Sequence, residues 1–245
     1  MELINATLIG FLVGISGTVA GGLFILRFGS SSNRQSFLLG FSGGVMVAVV
    51  LFDLWLEAIH YGGIIITALG TAVGVFLIQY FDQFLKLIPW YRNRNLSKLN
   101  KVGLLMGLGI GVHNFPEGVA LGTTYIANPA LKNWLGLALI MALHNIPEGM
   151  VMSSTFKLGK VPFYKIIIAL ILVELPMAFG STVGGALGLL SNEMIAASLG
   201  FAGGAMFFLV AKEILPMAKK ISGVLSVTVG FLIGLLIGIM MISFI

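Results

Sequence analysis

The chain has 245 residues, 58% of them hydrophobic and 9% charged, with a formal net charge of +5 and a mean hydropathy of +1.06. Soluble globular proteins carry roughly 25% charged residues, so the composition excludes a soluble domain and indicates an all-α polytopic membrane protein. The isoelectric point near 9.6 is no argument for nucleic acid, because the basic residues fall between apolar runs. The absence of cysteine excludes disulfides and thiolate metal sites.

A span needs about 20 mostly apolar residues, and eight such runs are predicted: roughly 4–26, 36–59, 62–81, 102–125, 134–156, 163–188, 194–215 and 222–244. The first exceeds the about 7–15 residues of a signal-peptide core and lacks a basic start, so it is expected to stay as a span. Turn and charge signals mark the gaps, as at Ser30-Ser31-Ser32-Asn33, Asn128-Pro129 and Gly159 to Pro162. Only the gap at about 82–101 is long and polar. The whole of 1–245 is read as one domain with no soluble appendage. Of the 14 Lys and Arg residues, all but Lys132 lie in the odd-numbered gaps or their flanks. Those gaps are therefore expected in the cytoplasm, with both termini outside. Trp90, Tyr91, Trp134 and Tyr164 are expected as interface anchors.

Two internal repeats emerge. Leu39-Gly40-Phe41-Ser42-Gly43-Gly44-Val45-Met46 returns 160 positions later as Leu199-Gly200-Phe201-Ala202-Gly203-Gly204-Ala205-Met206, and the same offset pairs Asp53 with Glu213 and Gly70 with Gly230. Gly17 to Gly22 in the first span echoes Gly180 to Gly185 in the sixth. Spans 1–3 (about 1–81) and 6–8 (about 163–245) begin on opposite sides of the membrane, the pattern of an inverted repeat around a central pair at about 102–156.

The other repeat lies in that central pair. His113-Asn114-Phe115-Pro116-Glu117-Gly118 in span 4 recurs in span 5 as His144-Asn145-Ile146-Pro147-Glu148-Gly149. Three mid-span glutamates, Glu117, Glu148 and Glu174, together cost on the order of 8–10 kcal/mol to insert. No Lys or Arg lies at their depth, so a cation from outside the chain is the expected partner. Residues i and i+4 share a helix face, so His113 with Glu117 and His144 with Glu148 can each chelate one ion. Asn114 and Asn145 lie on the adjoining edge and can serve a second ion, the carboxylates bridging, with Glu174 as a third carboxylate. Pro116 and Pro147 free the carbonyls of Val112 and Leu143 and are expected to bend both helices. Imidazole and carboxylate without thiolate suit Zn2+ or Fe2+ and admit Co2+, Mn2+ and Cd2+. These ligands bind metal deprotonated, which links metal to protons.

Outside the centre, Asp53, Glu57 and His60 share one face near the outer end of span 2, as a capture site or an ordinary polar helix end. Glu213, beside Lys212 at the inner end of span 7, is read as an exit position or a snorkelling charge. Met46 offers a soft thioether or simply packs.

The doubled His-Asn-x-Pro-Glu-Gly in consecutive spans of an eight-span chain resembles the ZIP (Zrt/Irt-like protein) metal transporter family, in its ZupT/GufA-type bacterial branch. The resemblance implies a 3+2+3 inverted-repeat fold and, where the centre is binuclear, a first site from His113, Glu117, His144 and Glu148. The second uses Asn114, Asn145 and Glu174 with the shared glutamates, and Met46 falls where relatives place a methionine contact. An elevator-like movement is also implied. The chain departs from the pattern in a long loop without histidine and in Lys212, where similar proteins often carry His before Glu213.

The expected function is import of a divalent transition metal, Zn2+ and also Fe2+ or its neighbours, into a bacterial cytoplasm through the cell membrane. The expected partners are metal ions and lipid, without prosthetic group or nucleic acid, and either a monomer or a homodimer. A passive metal channel is the alternative. An intramembrane metallohydrolase is less favoured, because the protease pattern sets two His four apart with Glu beside the first, whereas here Glu holds the fourth position.

Overall fold

The computed structural model describes residues 1–29, 31–87, 98–127, 133–187 and 191–243. Among them all regular structure is helical: α1 (Glu2–Phe28), α2 (Ser32–Val49), α3 (Trp55–Lys86), α4 (Lys98–Ala127), α5 (Asn133–Leu158), α6 (Phe163–Leu172), α7 (Leu175–Leu187), α8 (Asn192–Leu209), α9 (Leu215–Ser222) and α10 (Val224–Ser243). π-helical turns at Val50–Leu54 and Val210–Ile214 join α2 to α3 and α8 to α9. Six stretches are long and apolar enough to cross a membrane: Glu2–Phe28, Ser32–Tyr80, Trp134–Leu158, Phe163–Ala186, Asn192–Ser222 and Val224–Ser243. Their outer faces expose Ile65, Leu69, Leu225 and Leu236, a surface suited to hydrocarbon and not to water. The protein is a multi-pass membrane protein.

Helix boundaries differ from the apolar runs at two places in particular. The second and third runs form one stretch, broken inside α3 at Gly63, where φ 76° and ψ 171° favour a residue without a Cβ. The sixth run is two helices, parted at Val173 and Glu174. Pro176, which has no N–H for the Leu172 carbonyl, follows this break. By contrast α4 and α5 continue through Pro116 and Pro147. The 88–97 part of the long gap lies outside the described residues, as do Asn128-Pro129, Lys132, Trp90 and Tyr91.

Local structure repeats along with sequence. Ser31 and Ser191 cap α2 and α8, each hydroxyl accepting from the backbone N–H three residues on. Each helix then runs into a π turn, and Gly63 and Gly223 follow, both with positive φ. Every one of these pairs is separated by the 160 positions of the sequence repeat.

Glycine seams fix which helices touch. A Cβ at Gly118 or Gly122 of α4 would strike the Met177 or Ser181 backbone of α7, and Gly17 and Gly21 of α1 meet the carbonyls of Ala142 and Ile146 in α5. In the same way Gly70 and Gly74 of α3 lie on α8, and Gly230 and Gly234 of α10 on α2. In each pair the contacts advance together along both helices, so the pairs are parallel. Without a hydrophobic drive in lipid, this close backbone approach supplies the packing energy. Further packing of α1 on α7 and of α4 on α5 gathers α1, α4, α5 and α6–α7 into one group, while the π turns bring the α3–α8 and α2–α10 pairs together into a second of α2, α3 and α8–α10. The groups meet through α4 with α8 and α2 with α5.

Candidate metal centre

Helices α4 and α5 pack with their motifs running in opposite directions, and this exchanges the partners. His113 Nε2 lies 2.8 Å from Glu148 Oε1, and His144 Nε2 lies 3.0 Å from Glu117 Oε2. The contacts run between helices, whereas i to i+4 spacing predicted chelation within each. All four side chains are buried. His113 also donates through Nδ1 to the Gly109 carbonyl at 3.0 Å, while His144 Nδ1 has no hydrogen-bond partner among the described residues.

The neighbouring amides and third carboxylate join this cluster. Glu174, buried at the α6–α7 break, accepts from Asn114 Nδ2 at 2.9 Å and from the Thr18 hydroxyl at 2.5 Å. Asn145 Nδ2 faces Met177 Sδ at 4.0 Å. Five buried atoms around the centre lack a hydrogen-bond partner among the described residues: Asn114 Oδ1, Glu117 Oε1, His144 Nδ1, Asn145 Oδ1 and Glu148 Oε2. Leaving a buried donor or acceptor unpaired costs about 1–3 kcal/mol, and all five of these can offer a lone pair to a cation. The donor set therefore fits a divalent ion as cargo. No three His, Asp or Glu side chains among the described residues yet converge on a point, so the His–Glu hydrogen bonds occupy lone pairs that an ion would take.

A cavity of about 340 Å³ leads to one side of the cluster. Glu117 and His144 line its inner end, and Asp53, Glu57, Tyr61 and Asn192 line the way out. His113 and Glu148 do not line it. On the opposite side α2 and α5 are closed on one another, where Gln35 Nε2 donates to Ser154 Oγ at 2.6 Å and Ser42 Oγ reaches Met150 Sδ at 3.8 Å.

A zinc transporter ZupT from Stenotrophomonas maltophilia (strain R551-3) is 31% identical over 227 residues, covering 83% of this chain and 82% of the relative. The chain belongs to the ZIP family of metal transporters, as a ZupT-type member. Zinc transporter ZIPB from Bordetella bronchiseptica is 28% identical over 94% of this chain and 78% of its own length. A ZupT from Chlorobaculum parvum reaches 34% identity over 116 residues, 38% of this chain, which spans only 42% of that relative. No family model matches. All three relatives are named as transporters and not as enzymes.

In this ZIP protein the outlying candidates separate. Asp53, on the first π turn, and Glu57 line the cavity. His60 is exposed, packs edge-on to Tyr61 at 5.9 Å between ring centroids, and is not among the cavity-lining residues. Met46 is buried in the apolar cluster with Met150 and Met206. Glu213 sits half-buried on the second π turn, away from the cavity. Nothing in the sequence marks Tyr61, Thr123, Thr124 and Asn192, which line the cavity, or assigns Thr18 to Glu174. Thr18 alone left a signal, a hydroxyl inside the glycine-rich repeat of span 1.

Proposed function

We propose that this protein is a carrier that brings divalent transition metal, Zn2+ foremost, across the cell membrane into the cytoplasm. One observation carries the proposal: two His–Glu pairs exchanged between α4 and α5 are buried inside a membrane protein beside orphaned amide and carboxylate oxygens. Membrane insertion selects against such groups unless a charged passenger uses them. His113, Glu117, His144 and Glu148 hold one ion; Asn114, Asn145 and Glu174 hold a second, the two motif glutamates bridging. The donor chemistry also admits Fe2+, Co2+, Mn2+ and Cd2+.

The Gly63 break divides Ser32–Tyr80 into two crossings, and with α4 the six apolar stretches become eight in a 3+2+3 inverted repeat. The basic residues set the odd gaps in the cytoplasm, so the cavity holding Asp53 and Glu57 opens outside. An ion enters there, meets Glu117 and His144 first, and displaces protons as it binds. Protons returning to the same ligands assist its release inward. The group formed by α1, α4, α5 and α6–α7 shifts against the other group, elevator-like, to open the Gln35–Ser154 side. A cavity on one face with a closed seam on the other favours such a carrier over a continuous pore. Glu213, on the second π turn, is the candidate for the inner route.

The test is uptake of Zn2+ and Fe2+ into proteoliposomes. Wild-type protein gives saturable uptake, while Glu117→Ala and His144→Ala reduce it to background and still insert, since each deletes an insertion cost. Uptake by these variants at the wild-type rate contradicts the proposal, and linear, unsaturable flux replaces the carrier with a channel.

A further inference from the structure

Helix α1 supplies no ligand in the proposed function, yet its inner face is shaped around one. The Thr18 hydroxyl, fully buried, donates to Glu174 Oε1 at 2.5 Å. One turn earlier, Gly14 leaves the space that the same carboxylate fills, for a Cβ there would collide with Glu174 Oε2. Gly17, between them, lets the Asn145 Cβ approach closely. Glu174 needs such help because it sits at the α6–α7 break, where its backbone N–H makes only a 3.3 Å contact to the Ile171 carbonyl.

The internal repeat separates this arrangement from ordinary helix packing. Gly17-Thr18 corresponds to Gly180-Ser181 in α7, and Ser181 donates to the Gly118 backbone carbonyl at 3.0 Å. At the same offset Glu174 corresponds to Phe11. A hydroxyl that served only as glue between helices would find a carbonyl in both halves. Only the half that faces Glu174 turns its hydroxyl to a carboxylate.

We propose that Thr18 is a positioning residue for metal transport, its hydroxyl holding the Glu174 carboxylate in place beside Asn114. This rests on the central cluster being the cargo site. Without the donor, Glu174 Oε1 has no hydrogen bond among the described residues, and the carboxylate is held by Asn114 Nδ2 alone. Hydrogen bonds of this supporting kind are worth about 10–100-fold in metal affinity.

The experiment compares wild type, Thr18→Val and Thr18→Ser in two assays: Zn2+ uptake into proteoliposomes, and equilibrium Zn2+ binding by the purified protein. Valine keeps the shape and deletes the hydroxyl, while serine keeps the hydroxyl. Thr18→Val is expected to raise KM and weaken binding by about tenfold or more, with the maximal rate changed far less, and Thr18→Ser to stay close to wild type. Wild-type KM and binding in Thr18→Val overturn the inference, as does equal damage from serine and valine. A lowered unfolding temperature with unchanged KM assigns Thr18 to packing alone and also overturns it. If wild type binds Zn2+ but carries none across, transport fails while the binding comparison still decides the role of Thr18.

Discussion

The two copies of the His-Asn-x-Pro-Glu-Gly motif are nearly the same in sequence and unlike in setting. The His144–Glu117 pair lines the cavity and leaves His144 Nδ1 unengaged among the described residues. The His113–Glu148 pair lies behind it, with both ring nitrogens of His113 committed. Because the Gly109 carbonyl takes the Nδ1 hydrogen, the proton shared by Nε2 and Glu148 is one more than a neutral imidazole and a carboxylate carry. The His144–Glu117 contact needs no extra proton. Nearly equal residue chemistry thus yields one pair that lines the cavity and a second pair behind it that holds one proton more. Residue type supplies the chemistry, and tertiary setting divides the labour.

The largest effect that separates the pairs is on stability. Glu148→Ala strands a fully enclosed His113, and about 1–3 kcal/mol of stability should be lost in the metal-free protein. Glu117→Ala strands His144 at a cavity wall, where water can replace the lost partner, so its unfolding temperature should stay higher. Equal losses in thermal unfolding would erase the distinction. Next comes proton release on Zn2+ binding, read by titration calorimetry in buffers of different ionisation enthalpy. His113→Gln should release about one proton fewer per ion than His144→Gln, and binding in both should strengthen as pH rises. The smallest effect belongs to the cavity mouth. Asp53→Asn should raise the KM for uptake severalfold by weakening the field that draws cations inward, whereas His60→Ala, off the cavity, should leave KM unchanged.

Much of this molecule is written in local patterns. The apolar runs foretell the helices, and the motif names its own ligand types. The offset of 160 anticipates matched caps, π turns and positive-φ glycines. What local patterns do not carry is how helices face each other. Spacing of four residues places His113 and Glu117 on one face, but only the opposed packing of α4 and α5 decides that His113 meets Glu148. The π turns hide for a similar reason: they leave no compositional mark, and Asp53, which lines the cavity, sits on the first of them. Thr18 was visible as part of a repeat, while its partner Glu174 lies 156 positions away and is joined to it only by the seating of α1 against the α6–α7 break.

The central claim is that the exchanged pairs close around a metal passenger. Anomalous diffraction from Zn2+-loaded protein tests it most directly. A peak is expected between α4 and α5, bounded by His113, Glu117, His144 and Glu148, with the direct His–Glu hydrogen bonds opened. A metal-loaded structure with those hydrogen bonds intact and no peak between the helices would contradict it.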